Sequence, residues 1–154
     1  MTDTSGQGAH DEGPVDEYEV VIAQYGTRHG HRAEVYLNYA IYGEVDAPID
    51  MDYFVWVIRN EHRTILVDTG FSPEGGANRN RTFLRSLPEI YADLGIDTGA
   101  EQTIVVTHAH YDHIGNLDLF PNATILIAGA EYDFWASSMR ERAQFAWSTE
   151  VAGP

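Results

Sequence analysis

The 154-residue chain has no cysteine and no lysine, and its 24 acidic residues face only nine arginines, for a formal net charge of -15. The missing cysteines exclude disulfides, thiolate metal ligands and a cysteine nucleophile. They fit a cytoplasmic setting. The missing lysines exclude a Schiff base and a phosphate-loop lysine. So acidic a surface repels phosphate backbones and anionic lipid, which argues against nucleic-acid and membrane partners. No apolar run is long enough for a transmembrane helix. Met1 to Glu19 carries six acids and no arginine or lysine, so it lacks the basic start and apolar stretch of a secretory signal. What is present is 44% apolar and 12% aromatic residues, enough for the core of one domain.

Residues 1–17 read as a disordered acidic tail, followed by folded sequence over 18–154. Tyr18 to Tyr25 is β-branched and aromatic, which predicts a strand. Thr27 to Arg32 reads as a polar turn around Gly30, Ala33 to Tyr42 as extended, and Gly43 to Asp50 as a loop. Tyr53 to Arg59 and Thr64 to Val67 read as a hairpin through Asn60, Glu61 and His62. Ser72 to Arg81 reads as a loop. Thr82 to Leu94 has near-helical apolar spacing, with Pro88 as a kink or break and Gly95 as its end. Thr103 to Thr107 predicts a buried strand, Ile114 to Phe120 a short helix, Ala123 to Ala128 a strand and Ala130 to Trp147 a helix. Antiparallel strands followed by strand–helix alternation give an α/β fold, a mixed sheet flanked by helices.

The segment most able to carry chemistry is His108-Ala109-His110-Tyr111-Asp112-His113, between a buried strand and a helical stretch. In extended chain, alternate side chains share a face, so His108 and His110 can reach one ion and Asp112 has the same parity. His113 leaves in another direction as the helix begins, which offers ligands to a second ion. Imidazole with carboxylate suits zinc, and also iron or manganese. His29 and His31 share the His-x-His spacing but flank Gly30 among arginines, and His10 and His62 also read as solvated. The aromatic residues Tyr53, Phe54 and Trp56 read mainly as core, and Asn78 to Arg81 as a solvated loop.

His108 to His113, followed by Gly115 and Asn116, resembles the HxHxDH signature of the metallo-β-lactamase-fold hydrolases. Asp68-Thr69-Gly70 after Ile65-Leu66-Val67 resembles the strand-ending aspartate that these proteins carry upstream. The stretch from Tyr25 to Phe71 looks most like the N-acyl-homoserine lactonase branch. The resemblance implies half of an αββα sandwich. It implies two divalent metal ions, with His108 and His110 as ligands of the first and Asp112 and His113 of the second. It gives Asp112 the proton handling during lactone ring opening. It makes Asp68 a carboxylate that orients a ligand histidine by a hydrogen bond. Other activities on the same scaffold are a glyoxalase II-type thioesterase or a different lactonase, since one fold hosts many chemistries.

The sequence departs from that family after His113. No histidine follows it, and the later aspartates, Asp118 and Asp133, lie in segments read as helix. The family pattern needs a further histidine for each metal and a bridging aspartate downstream. The expectation is therefore an N-terminal half, as a truncation or a split protein. It would bind metal weakly, show little or no activity alone, and expose an apolar sheet face that pairs with a complementary chain or a second copy. A non-catalytic half-domain that binds a partner chain is the remaining alternative.

Overall fold

Valine, isoleucine and aromatic side chains at alternate positions favour two long strands, because such residues fit a pleated, half-buried surface. These are β1 (Glu19–His31) and β2 (Pro48–Arg59), paired antiparallel from Glu19 opposite Arg59 to His31 opposite Pro48. The structure is a computed structural model that describes residues 17–137. The tail expected over 1–17 lies outside the described residues apart from Glu17, as does the last part of the helix expected to reach Trp147.

β1 runs further than its sequence suggests. Thr27 to His31, expected as a turn, continues the strand against Asp52 to Pro48. Polar side chains disguise a ribbon whose residues are exposed or only half-buried, where backbone pairing rather than full burial holds the strand. The reversal comes later, in α1 (Arg32–Val35) and a 3-10 turn over Tyr39–Tyr42, where extended chain was expected. The Glu34 carboxylate accepts from the His31 N–H and the Arg28 guanidinium at the start of α1. Asn38 and Gly43 take left-handed backbone angles that turn the chain back.

β3 (Thr64–Val67) pairs antiparallel with β2 through the expected hairpin. The Asn60 side chain closes its turn by accepting from the His62 and Arg63 N–H groups. α2 (Pro73–Ala77) occupies part of the stretch expected as a loop, its first turn capped by the Ser72 hydroxyl, which accepts from the Gly75 N–H. β4 (Thr82–Phe83) adds to β1. α3 (Leu87–Asp93) then carries Pro88 in its first turn rather than breaking there. Ser86 and Glu89 form a capping box, and proline suits the first helical turn because its missing N–H would be unpaired there anyway. β5 (Thr103–Val106) leads to α4 (Tyr111–Ile114) and a 3-10 turn over Leu117–Leu119, in place of one helix over Ile114 to Phe120. β6 (Thr124–Ile127) and α5 (Gly129–Ala136) complete the described chain.

The six strands form one mixed sheet in the order β4-β1-β2-β3-β5-β6, with β3, β5 and β6 parallel. One face carries Tyr25, Tyr53, Val55, Val57, Leu66, Ile104 and Val106, buried under Phe71, α3 and Phe120. Each fully buried aliphatic side chain there contributes about 1.5–3 kcal/mol relative to exposure. The alternate residues turn the other way. On that face Ile22 lies opposite Trp56, at 52% and 41% exposure, beside Val20 and Phe54. Among the described residues, the sheet is thus covered on one side and open and apolar on the other. Among the described residues, no helix is long and apolar enough to cross a membrane.

A candidate metal centre at the ends of β3 and β5

Parallel pairing brings the carboxyl ends of β3 and β5 to the same edge of the sheet. The Asp68 N–H extends the ladder by donating to the Val105 carbonyl at 2.9 Å. Asp68 then takes a left-handed angle, φ 59°, which aspartate tolerates better than most residues. This turns its carboxylate across the end of β5. Oδ1 accepts from the Thr107 N–H at 2.8 Å, and Oδ2 accepts from the Thr107 hydroxyl at 2.8 Å. Oδ2 also lies 2.7 Å from His113 Nδ1. The Asp68 side chain is only 9% exposed. Burial alone would raise its pKa, but the hydrogen bonds from His113 and Thr107 outweigh that and hold it below the usual range.

The Asp68-Thr69-Gly70-Phe71 turn is laced to α4. The Thr69 N–H donates to the His113 carbonyl at 2.7 Å and the Gly115 N–H to the Gly70 carbonyl at 2.8 Å. The buried Asn116 amide donates to the carbonyls of Thr69 and Phe71, both at 2.8 Å. Glycine is required at 70 and 115. Gly70 has φ 66°, and an added Cβ would sit 2.7 Å from the Tyr25 ring. At Gly115 a Cβ would meet backbone atoms of Ser72, Tyr111 and Gly70 within 2.8 Å.

A β-bulge at Tyr25, between the Gln24 and Gly26 pairings, aims a fully buried phenol at the same turn. Its oxygen accepts from the Phe71 N–H at 3.0 Å and its hydroxyl donates to the Asp112 carbonyl at 3.4 Å. Burial pushes its pKa far up, so it stays neutral.

These supports bring the three histidines of the motif together. The His108 ring centre is 4.4 Å from that of His110 and 3.8 Å from that of His113. Asp112 Oδ1 lies 3.9 Å from His113 Nε2. His113 does not diverge from the others as its sequence position suggests, because the first turn of α4 and Asp68 fold its ring back. The network assigns the tautomers. The Thr107 hydroxyl proton goes to Asp68, so His108 Nδ1, 3.1 Å away, donates to Thr107 Oγ1 and leaves Nε2 with a lone pair. His113 Nδ1–H donates to Asp68 and likewise leaves Nε2 available. Burial lowers the pKa of His108 and His110, with the neighbouring His113 adding to the effect. Burial also opposes charge on His113, but the Asp68 carboxylate outweighs it and raises that pKa.

Neutral imidazoles beside carboxylate are the donor set that divalent transition metals take. The chemistry of His108, His110, Asp112 and His113 therefore fits such an ion. Their number does not close a shell: among the described residues, no group of three or more His, Asp or Glu side chains is arranged to hold one metal. The other histidines stand apart. His29 and His31 lie on the β1–β2 ribbon against Asp50 and Asp46, and His62 lies in the β2–β3 turn beside Glu61. Asp118 and Asp133 lie on the 3-10 turn after α4 and on α5. His10 falls outside the described residues.

Three neighbours of the site are not evident from sequence. Arg79 and Arg81, expected in a solvated loop, are half-buried. The Arg79 guanidinium lies 3.8 Å over the Tyr111 ring, and Arg81 Nε donates to the Tyr111 hydroxyl at 3.1 Å. Glu131 on α5 accepts from the Ala109 N–H. The sequence signal for Glu131 is slight, an acid in a first helical turn four residues before Trp135.

Residues 50–153 match the profile of the metallo-beta-lactamase superfamily, and the chain belongs to it. Metallo-beta-lactamase domain-containing protein 1 of Rattus norvegicus is 44% identical over 64 residues, 42% of this chain and 22% of that protein. An N-acyl homoserine lactonase of Bacillus sp is 29% identical over 100 residues, 55% of this chain and 40% of that one. The solved structure of a quorum-quenching N-acyl homoserine lactone lactonase superposes with a TM-score of 0.62 at 19% identity, over 77% of this chain and 48% of that one. A dizinc quorum-quenching lactonase in complex with a product matches with a TM-score of 0.54 at 25% identity, over 83% of this chain and 48% of that one. The chain thus spans less than half the length of each, and its six-stranded sheet and helices are about half of that fold.

Proposed function

We propose that the chain contributes the His108–His113 donors of a two-metal hydrolase centre that opens the lactone ring of N-acyl homoserine lactones. The observation that carries this is the convergence of the three imidazoles at the ends of β3 and β5, with Asp68 fixing His113 so that Nε2 is free for an ion. Likeness to the Bacillus lactonase and to the dizinc lactonase supports the substrate class and the use of zinc. Two divalent ions supply Lewis acidity toward a carbonyl and lower the pKa of water to near neutrality. His108 and His110 would hold the first, and Asp112 and His113 the second. Asp112 also accepts and returns the proton as the ring oxygen leaves. Tyr25, bonded to the Asp112 carbonyl, fixes where that carboxylate starts from. The open apolar sheet face is where a complementary chain or a second copy packs and completes the ligand shells.

The test is a zinc titration of the metal-free chain followed by NMR of the imidazoles, with elemental analysis of the metal retained. The expected result is that His108, His110 and His113 shift together while His29 and His62 do not. Lactone opening, followed as acid release, is expected to be slow for this chain alone and lost in Asp112→Asn. Zinc that perturbs only His29 and His31 refutes the site. Turnover of a thioester but not of a lactone moves the reading to a glyoxalase II-like activity.

A further inference from the structure

β5 ends at Val106, but the next residues still have to hold two imidazoles at alternate positions. Ala109, between them, is buried at 6% exposure, so its N–H needs an acceptor although, among the described residues, no neighbouring strand reaches it. α5 provides one. Glu131 Oε1 accepts from the Ala109 N–H at 2.8 Å, and the same oxygen accepts from the Trp135 indole N–H at 2.6 Å. The indole then meets the His110 ring edge to face, with centres 5.7 Å apart and an interplanar angle of 86°. One carboxylate oxygen therefore fixes the backbone between His108 and His110 and, through Trp135, the wall against which His110 stands.

We propose that Glu131 is a positioning residue of the metal centre, acting with Trp135 to hold the His108-Ala109-His110 segment in ligating geometry. This rests on the metal reading of that segment. Glu131 ligates nothing itself. It stands in for the carbonyl of a missing strand neighbour, and a single oxygen does both tasks. Glutamine, whose carbonyl oxygen can accept the same two bonds, therefore preserves the function, whereas alanine does not. A role through charge would separate glutamate from glutamine.

The experiment compares the full chain with Glu131→Gln, Glu131→Ala and Trp135→Phe. Zinc affinity is measured by competition with a chromogenic chelator. Ala109 amide exchange and the ring nitrogen shifts of His108 and His110 are measured without metal, and circular dichroism checks the fold. The expected result is a loss of zinc affinity of about 10–100-fold in Glu131→Ala, the usual cost of losing a partner that orients a ligand. Ala109 exchange is faster and the His108 and His110 shifts change in that variant. Glu131→Gln follows the parent chain. Trp135→Phe moves the His110 shifts and leaves Ala109 protected. A folded Glu131→Ala with unchanged zinc affinity and ring shifts overturns the proposal, as does a folded Glu131→Gln as impaired as the alanine variant. If the parent chain takes up no zinc, the metal reading fails separately. The metal-free exchange and ring shifts then decide: unchanged in Glu131→Ala they overturn the positioning role, and changed they support it.

Discussion

Replacing Asp68 by asparagine isolates the carboxylate that ties β3 to α4. Asparagine tolerates the left-handed angle of 59° at this position, so the change adds little backbone strain. Its carbonyl oxygen can still accept from the Thr107 N–H, now 2.8 Å from Oδ1. Its amide, in place of Oδ2, can no longer accept from His113 Nδ1, which lies 2.7 Å away, nor from the Thr107 hydroxyl. The hydroxyl has another acceptor 3.1 Å away in His108 Nδ1, once that nitrogen gives up its proton, so its loss adds little. The charge-assisted bond to His113 has no substitute. With Asp68 only 6% exposed, solvent screens it weakly, and its loss costs about 1.5–3 kcal/mol of unfolding free energy. An amide donor facing Nδ1 also favours the opposite tautomer, with the proton on Nε2, the nitrogen that would face the metal. Urea unfolding of the metal-free chain at neutral pH reads the first effect as a lower midpoint at unchanged slope. Nitrogen NMR of the His113 ring reads the second as a tautomer switch, and zinc affinity falls by about 10–100-fold. An unchanged midpoint together with an unchanged tautomer would refute the reasoning.

The hydrogen bond that His29 Nδ1–H donates to Asp50, at 2.6 Å, and the Asp50 charge, aided by Asp52, raise the pKa of exposed His29. The stabilisation that this pair gives the ribbon is present below about pH 6.5 and is lost as pH rises through the raised value. Proton NMR should therefore place the His29 titration above its ordinary value, and Asp50→Asn should return it there; a His29 titration that ignores the substitution contradicts the pairing. Gly115→Ala forces a Cβ to within 2.5 Å of the Ser72 nitrogen, and overpacking against backbone costs about 1–3 kcal/mol or more. Gly129→Ala, with nothing within 4 Å, is the control, and equal melting temperatures for the two variants would rule out the close approach. Ile22→Thr with Trp56→Thr makes the open sheet face more polar while keeping strand-favouring residues at both sites. Light scattering is expected to show association of the parent chain that the double variant lacks; a parent chain that stays monomeric at all concentrations contradicts an interface there.

The motif from His108 to His113 and the strand-ending Asp68 are legible in the sequence because their chemistry is local. A buried strand, a turn glycine and closely spaced imidazoles declare themselves within a few residues. The strands with one buried face are legible for the same reason, since alternation records burial. Thr27 to His31 is not, because its polar side chains leave no apolar trace and its pairing is a matter of backbone. Pro88 is ambiguous in sequence, able either to break a helix or to begin one. Ser86 and Glu89 closing a capping box around it decide for the start.

The site divides in the same way. Sequence by itself determined the donor types, the absence of thiolate and lysine chemistry, and the superfamily resemblance. Only the tertiary structure decided that His113 folds back onto His108, that Tyr25 reaches Asp112 through a bulge, and that Glu131 accepts the Ala109 N–H. The reason is distance along the chain. Tyr25 and Asp112 are 87 residues apart, and Asp68 and His113 are 45. Contacts of that kind depend on the register of six strands, which no local pattern encodes. The open apolar face is settled by structure too: consecutive apolar residues show that β1 and β2 have two apolar faces, but which of them lies under α3 follows only from how the chain crosses the sheet.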